Sequence, residues 1–255
     1  MPSEQMPQPL PWVDTLNQSH KKIIMDNKEL CSDIICFAQS ILKKQFPDSN
    51  GFHDTTLAPI KLNDKWISNN SFQTQSHPSV QIHHTGLSQH WVTSIQLDKT
   101  NIYLLDSLSL KLSTSLEMQL AQIYGKKRKN ISINDIQRQD NSINCGLFAI
   151  ANMIEFCANE YTGNLNLQFN TKYLREHLIF CLEQGHFRPF PKLESSSKFV
   201  HNKPEIHSIV LSCECGNPDT IANLDVGDLY WYCNKLIINN NRKLVIKYYP
   251  LVILT

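Results

Sequence analysis

Cys145 stands where a polar, turn-forming run of the chain gives way to an apolar run. The apolar residues after it recur at helical spacing, so the cysteine is predicted to begin a buried helix, whose free amide hydrogens and dipole stabilise a thiolate. Gln139, six residues upstream, carries an amide donor that could face a developing oxyanion. Gly146 is expected to keep the backbone beside the sulfur open to a substrate. Taken alone, such a stretch more often marks a buried structural cysteine.

A cysteine nucleophile needs a base, and the base needs a third group that orients it. Among ten histidines, His90 is the strongest candidate because it directly precedes a predicted strand that begins at Trp91 and can hold the imidazole at a cleft. Asp106 follows an apolar run and could hold the tautomer of that imidazole. Each residue alone is commoner as a surface histidine or a turn aspartate. The hypothesis therefore depends on their occurring together with Cys145.

A predicted β-hairpin of strands 91–97 and 102–105 would bring the base and its orienting group together. The first strand alternates apolar and polar residues, whereas the second is continuously apolar. If the last residue of the first strand pairs with the first residue of the second, Asp106 lies opposite Thr93, three residues from His90. A bend in the strand then allows contact between the carboxylate and the imidazole.

Periodic apolar patterns predict the elements around this hairpin. A helix is predicted over 29–44, capped by Asp26 or Asn27, and a strand is predicted over 131–136. Further helices are predicted over 115–124, 146–161 and 171–184.

The chain has 255 residues, 41% of them hydrophobic, which suffices for one large domain with a small appendage. Residues 1–10 contain three prolines and are predicted to be a flexible lead. Residues 11–194 are predicted to form the main domain, and 195–255 a linker with a small β-rich appendage.

The charge is balanced, with 24 basic and 23 acidic residues, so no overall field favours nucleic acid or an acidic membrane. The basic loop 126–129 is more typical of a solvated loop than of a phosphate contact. The N-terminus has no signal-peptide pattern, and no apolar run is long enough to span a membrane. Eight cysteines without regular spacing favour a reducing, intracellular compartment, either nucleus or cytoplasm.

The order of the candidate residues resembles the ubiquitin-like protease family, the Ulp/SENP-type SUMO and NEDD8 proteases (peptidase family C48). The resemblance implies an α+β, papain-like cysteine peptidase fold, with a central mixed or antiparallel sheet flanked by helices. His90, Asp106 and Cys145 would form the catalytic triad. Gln139 would be the oxyanion donor, and Trp91 one wall of a narrow channel that admits a glycine-ended tail.

The resemblance runs from about Leu30 to Pro191, and within it the chain departs from the family at two positions. Leu30 stands where the family has a second channel tryptophan, which bears on how tightly the channel holds a substrate. Asn144 replaces the aspartate more usual before the nucleophile, which removes a charge and keeps a capping side chain. Neither change touches the triad, so activity is expected to survive.

Two groups of possible metal ligands have weaker support. The histidines around His83 have no carboxylate or thiol at ligand spacing nearby. In the tail, Cys213, Cys215 and Cys233 faintly resemble the PHD-type zinc finger that ends some transposon-associated members of the family, but a fourth ligand is doubtful. We therefore expect a degenerate finger, no metal and no cofactor.

The resemblance implies a cysteine peptidase that cleaves ubiquitin-like modifiers, SUMO or NEDD8, after a terminal Gly-Gly. The modifier and its conjugates are the expected partners, and isopeptide bonds, precursor tails or both the expected substrates. Two alternatives stay open: a catalytically inactive, protease-like binding module, and a viral-type processing cysteine peptidase. The presence of all four chemical roles argues against the inactive module.

Overall fold

The computed structural model describes residues 11–62, 65–67, 72–86, 90–110, 112–125, 129–134, 136–159, 167–193 and 205–209. The predicted lead, the zinc-finger-like cysteines and most of the basic loop lie outside the described residues. The helices are α1 (Pro11–Asp14), α2 (Gln18–Met25), α3 (Ser32–Gln45), α4 (Thr114–Tyr124), α5 (Cys145–Asn159) and α6 (Leu174–Gln184). The strands are β1 (Asn50–Gly51), β2 (Ile60–Leu62), β3 (Lys65–Ile67), β4 (Ser79–His84), β5 (Trp91–Gln96), β6 (Asn101–Leu105), β7 (Lys129–Asn134) and β8 (Glu205–Ile209).

Six of these strands form one mixed sheet in the order β1-β4-β5-β6-β7-β8. The β4–β5, β5–β6 and β7–β8 pairs are antiparallel, whereas β1–β4 and β6–β7 are parallel. Strands β2 and β3 form a separate antiparallel pair. β8 comes from the predicted appendage and extends the sheet of the main domain, while the predicted domain boundary near 194 stays a prediction.

Helices cover both faces of the sheet, which explains why β5 is buried along its whole length despite its polar residues. On one face Ile95 and Leu105 join the large core that contains α3, α5 and α6. On the other face Val92, Ile102 and Leu104 pack against α4 in a smaller core. The α+β fold class, with a central mixed sheet flanked by helices, is confirmed.

Helix α5 lies against the middle of the sheet and is buried over its first twelve residues, 145–156. A helix that is apolar on all sides is stable only when other elements surround it. Thr93 of β5 anchors this helix, because its hydroxyl donates to the carbonyl of Ala149 at 2.8 Å. The predicted helix over 146–161 is therefore confirmed over 146–159 and begins one residue earlier, at Cys145, while 160 and 161 lie outside the described residues.

The predicted helix over 29–44 begins three residues late, at Ser32, and no side-chain bond caps it. Leu30 is apolar and buried, yet it is extended chain, because its carbonyl accepts from the indole Nε1 of Trp91 at 2.9 Å. The proposed caps Asp26 and Asn27 lie in the turn after α2 instead. The strand predicted over 131–136 runs two residues earlier, at 129–134.

A buried polar network ties β4 and β5 to α4. Gln119 donates to the carbonyl of His84 at 2.8 Å, so its amide oxygen faces Nδ1 of His83 at 3.0 Å. Nε2 of His83 lies 2.6 Å from the hydroxyl of Ser94, which contacts Tyr124 in turn. Burial lowers the pKa of His83 to about 4, against the opposing effect of the bond to Gln119. His83 is therefore a neutral structural histidine.

None of the helices in the described part of the chain is both long and apolar enough to cross a membrane.

The neutral state of His83 predicts a loss of stability in acid. In the unfolded chain the imidazole takes up a proton below pH 6.5, whereas in the folded chain it does so only near pH 4. The unfolded state therefore binds more protons in this window, and the free energy of unfolding falls by roughly 3 kcal/mol as the pH drops through it. Denaturant titrations of the wild type and of His83→Gln measure this difference. Equal pH dependence in both proteins contradicts it.

Candidate active site

His90 and Asp106 form a buried pair at one end of the β5–β6 hairpin. Nε2 of His90 lies 2.7 Å from Oδ1 of Asp106, and the residues are 1% and 2% exposed. The carboxylate also accepts from the backbone N–H groups of Leu108 at 2.8 Å and Leu110 at 2.9 Å. Burial raises the pKa of Asp106, but the imidazole and these donors outweigh it and hold the pKa below its usual range. The carboxylate is therefore ionised at neutral pH and fixes the ring.

The register of the hairpin differs by one residue from the predicted one. Thr93 lies opposite Leu105, so continuing the register places Asp106 two residues from His90 rather than three. The predicted pairing of Thr93 with Asp106 is therefore wrong. The turn causes this difference in register. Oδ1 of Asp98 accepts from the backbone N–H groups of Thr100 at 2.7 Å and Asn101 at 2.9 Å, and β5 ends one residue earlier than predicted.

Cys145 begins α5 as predicted and is 1% exposed. Burial lowers the pKa of His90, but the hydrogen bond to Asp106 and the interaction with Cys145 outweigh it and raise the pKa to about 9. Because Nε2 faces Asp106, the ring nitrogen available to the sulfur is Nδ1, which is buried and makes no hydrogen bond of ordinary geometry with the described residues. A protonated imidazole thus lies between a carboxylate and a thiol, an arrangement that suits thiolate chemistry.

Gln139, in the loop before α5, is held by three contacts. Its amide oxygen accepts from the hydroxyl of Ser107 at 2.6 Å, and its backbone N–H donates to the carbonyl of Ser107 at 3.1 Å. Nε2 of Gln139 donates to the carbonyl of Asn141, which fixes the orientation of the amide because a carbonyl can only accept. The second hydrogen on Nε2 is available to an oxyanion. Its role as oxyanion donor stays a prediction.

Trp91 and Leu30 pack around the first turn of α5. Trp91 is 4% exposed and meets the ring of His84 edge-on at 4.9 Å between centroids. A Cβ added to Gly146 would lie 3.0 Å from Cβ of Leu30 and 3.2 Å from its Cδ1. Gly146 was expected to leave space for an approaching substrate, but on this side Leu30 fills that space. The role of Trp91 as a channel wall stays a prediction.

Arg175 on α6 binds the loop that ends at Cys145. Its Nη2 donates to Oδ1 of Asn144 at 2.9 Å and approaches the carbonyl of Ile143 at 3.4 Å. Its Nη1 donates to the carbonyls of Ile24 at 3.1 Å and Lys28 at 2.9 Å. The side chain of Asn144, expected to cap α5, is thus bonded to an arginine instead. One guanidinium joins α2, α6 and the loop before the cysteine.

Sequence reasoning did not assign functional roles to Ser107 and Arg175. Their partners lie 32 and 31 positions away along the chain, and such distant hydrogen bonds leave no periodic pattern. The sequence gives only weak indications of these roles: Ser107 directly follows Asp106, and Arg175 lies within a predicted helix.

A second cluster of possible ligands consists of His20, Cys31 and Asp33, whose ligand atoms lie within 4.8 Å of one another. Nδ1 of His20 accepts from the backbone N–H of Asn17 at 3.0 Å, so its proton sits on Nε2 and faces Asp33 at 3.2 Å. Metal-bound histidines have the opposite arrangement, in which the nitrogen away from the metal donates. The cluster is better described as a helix cap with a hydrogen bond from His20 to Asp33.

Solved structures superpose on part of the chain. One is the C-terminal Ulp1 protease domain in complex with Smt3, the yeast orthologue of SUMO (17% identity, TM-score 0.45, 66% of this chain and 82% of that one). Others are SUMO protease Ulp1 with its catalytic cysteine oxidised to a sulfinic acid (16%, 0.45, 66% and 82%) and a de-sumoylating protease (13%, 0.44, 67% and 86%). No family model and no curated protein matches the sequence.

The charge state of His90 is directly measurable. We expect its imidazole to titrate near pH 9 in the wild type and at least roughly two units lower in Asp106→Asn, because burial then acts without the opposing carboxylate. Since the folded pKa is raised, the contribution of His90 to stability is complete below pH 6.5 and lost as the pH rises towards 9. Nuclear magnetic resonance of labelled histidine measures both values. Titration near pH 6.5 in both proteins contradicts the coupling.

Proposed function

We propose that this protein is a papain-like cysteine peptidase that cleaves ubiquitin-like modifiers, SUMO or NEDD8, after a terminal Gly-Gly. The observation that carries the proposal is the buried His90–Asp106 bond of 2.7 Å next to a cysteine at a helix N-terminus. A structural cysteine in a core needs neither a charged imidazole nor an oriented amide beside it. Processing of precursors and cleavage of isopeptide bonds to lysine use the same chemistry.

The reaction begins with attack of the Cys145 thiolate on the carbonyl carbon of the terminal glycine. The carbonyl electrons move to oxygen, and the free N–H of the Gln139 amide stabilises that oxyanion. The protonated Nδ1 of His90 gives its proton to the leaving amine, and a thioester remains. A water molecule then attacks the thioester while His90 takes its proton. The glycine leaves as a carboxylic acid, and the thiolate is restored.

The burial of the reacting groups supports a slender substrate. Cys145 and His90 are each 1% exposed, and Leu30 and Trp91 pack beside them. A segment of extended chain without side chains fits such a restricted approach better than a bulky sequence does. A glycine-ended tail on a folded modifier has this shape. The modifier and its conjugates are therefore the proposed partners, in the nucleus or cytoplasm.

Labelling with modifiers that carry an electrophile at their C-terminus tests the proposal. A panel of SUMO, NEDD8 and ubiquitin probes is offered to the wild type and to Cys145→Ala. We expect a covalent adduct with SUMO or NEDD8 in the wild type only. A folded wild type that reacts with none of the probes rules out the modifier-specific peptidase and favours the binding module or the viral-type peptidase.

The contacts of Gln139 predict the effect of a smaller change. Ser107→Ala removes the hydroxyl that orients the amide, and we expect kcat to fall by roughly ten- to a hundred-fold with little change in KM, because the amide acts on the transition state. Ser142→Ala, at an exposed serine of the same loop, serves as the matched control. A rise in KM alone contradicts the assigned role.

A further inference from the structure

Arg175 occupies a position that is electrostatically unfavourable for its own helix. It lies in the first turn of α6 (Leu174–Gln184), where the helix dipole repels cations. The guanidinium is also partly withdrawn from water, and burial lowers the pKa of Arg175. Both effects cost stability, so the contacts of the charge should explain why it is there.

The hydrogen-bond partners of Arg175 among the described residues are all neutral. They are three backbone carbonyls and the amide oxygen of Asn144. The group that acts on its charge is Cys145, whose presence raises the Arg175 pKa against the effect of burial. An aspartate at position 144 would bind the same guanidinium and neutralise it. Because asparagine is neutral, it does not neutralise the guanidinium, whose charge can then interact with Cys145.

We propose that Arg175 is a positioning residue for Cys145: it holds the loop before the nucleophile, and its positive charge, which Asn144 leaves uncompensated, stabilises the thiolate together with His90. The proposal rests on the proposed function in that Cys145 works as a thiolate. It assigns a role to the asparagine at position 144, because a neutral side chain there binds Arg175 without cancelling its charge.

Other charged or titratable groups around Cys145 come from several elements. Asp106 acts through His90, and half-buried His84 at the end of β4 also interacts with His90. On the side of α3, which packs on α5, Glu29 and Cys31 flank Leu30 in sequence. Asp33 follows in the first turn of α3 and is paired with His20. These groups are unchanged by substitutions at positions 144 and 175, so differences between such variants report on the arginine.

The test measures ionisation of Cys145 by ultraviolet thiolate absorbance. Each variant is compared with the same variant carrying Cys145→Ala, which removes the signal of the other cysteines. We expect Arg175→Gln to raise the pH midpoint of ionisation by roughly one unit, and Arg175→Lys to restore it because it keeps the charge. A purely structural role predicts equal midpoints in both variants, and that result overturns the proposal.

Asn144→Asp tests the same idea without deleting a buried contact. Its carboxylate pairs with Arg175, so we expect the melting temperature to hold or rise while the ionisation midpoint rises by roughly one unit. Asn141→Asp is the matched control, because it adds the same charge to the same loop at an exposed site, and its shift should be clearly smaller. Equal shifts in the two variants, or none in Asn144→Asp, overturn the proposal even if Arg175→Gln does not fold.

The absorbance measurement needs no substrate, so a wild type that reacts with none of the modifier probes can still show these shifts. The two proposals therefore fail separately.

Discussion

The positions of the other site residues depend on the hydrogen bond between His90 and Asp106. Two ionisable groups lie in the interior at 2.7 Å, and such a pair is tolerated only when its remaining polar atoms are also satisfied. The backbone N–H groups of Leu108 and Leu110 supply the remaining donors to the carboxylate. The loop after β6 is therefore shaped by its aspartate, and the same loop carries Ser107, which orients Gln139. The imidazole of His90 and the amide of Gln139 are thus positioned by one turn.

Cys145 comes from a different part of the chain, so its distance from His90 depends on how α5 is attached to the sheet. The hydroxyl of Thr93 binds the carbonyl of Ala149, one turn into α5. On the far side of the sheet, His83 and Ser94 hold β4 and β5 to α4. Polar side chains within strands thus serve as fixed links between layers, which rigidify a site when every partner is satisfied.

The contact of His90 with Asp106 could be predicted from the sequence, because the two residues flank the strands of a recognisable hairpin. Their register could not, since a turn made by Asp98 decides it by one residue. The start of α3 could not be predicted either. Leu30 is apolar and fits the helical pattern, but its carbonyl accepts a hydrogen bond from the indole of Trp91. Arg175 was missed for the same reason, as its charge has meaning only beside a loop distant in sequence.

These elements combine in the charge balance of the interior. His90, with a pKa near 9, carries a proton at neutral pH, and Asp106 offsets that charge. Arg175 adds a further positive charge against neutral oxygens. A buried region with one unmatched cation is costly, and the N-terminus of α5, where Cys145 lies, adds further positive potential there. A helix N-terminus, an imidazolium and a guanidinium are thus placed around Cys145. Because Asn144 is neutral, it leaves the guanidinium of Arg175 without a negative partner, which is the basis for proposing that Arg175 favours a thiolate.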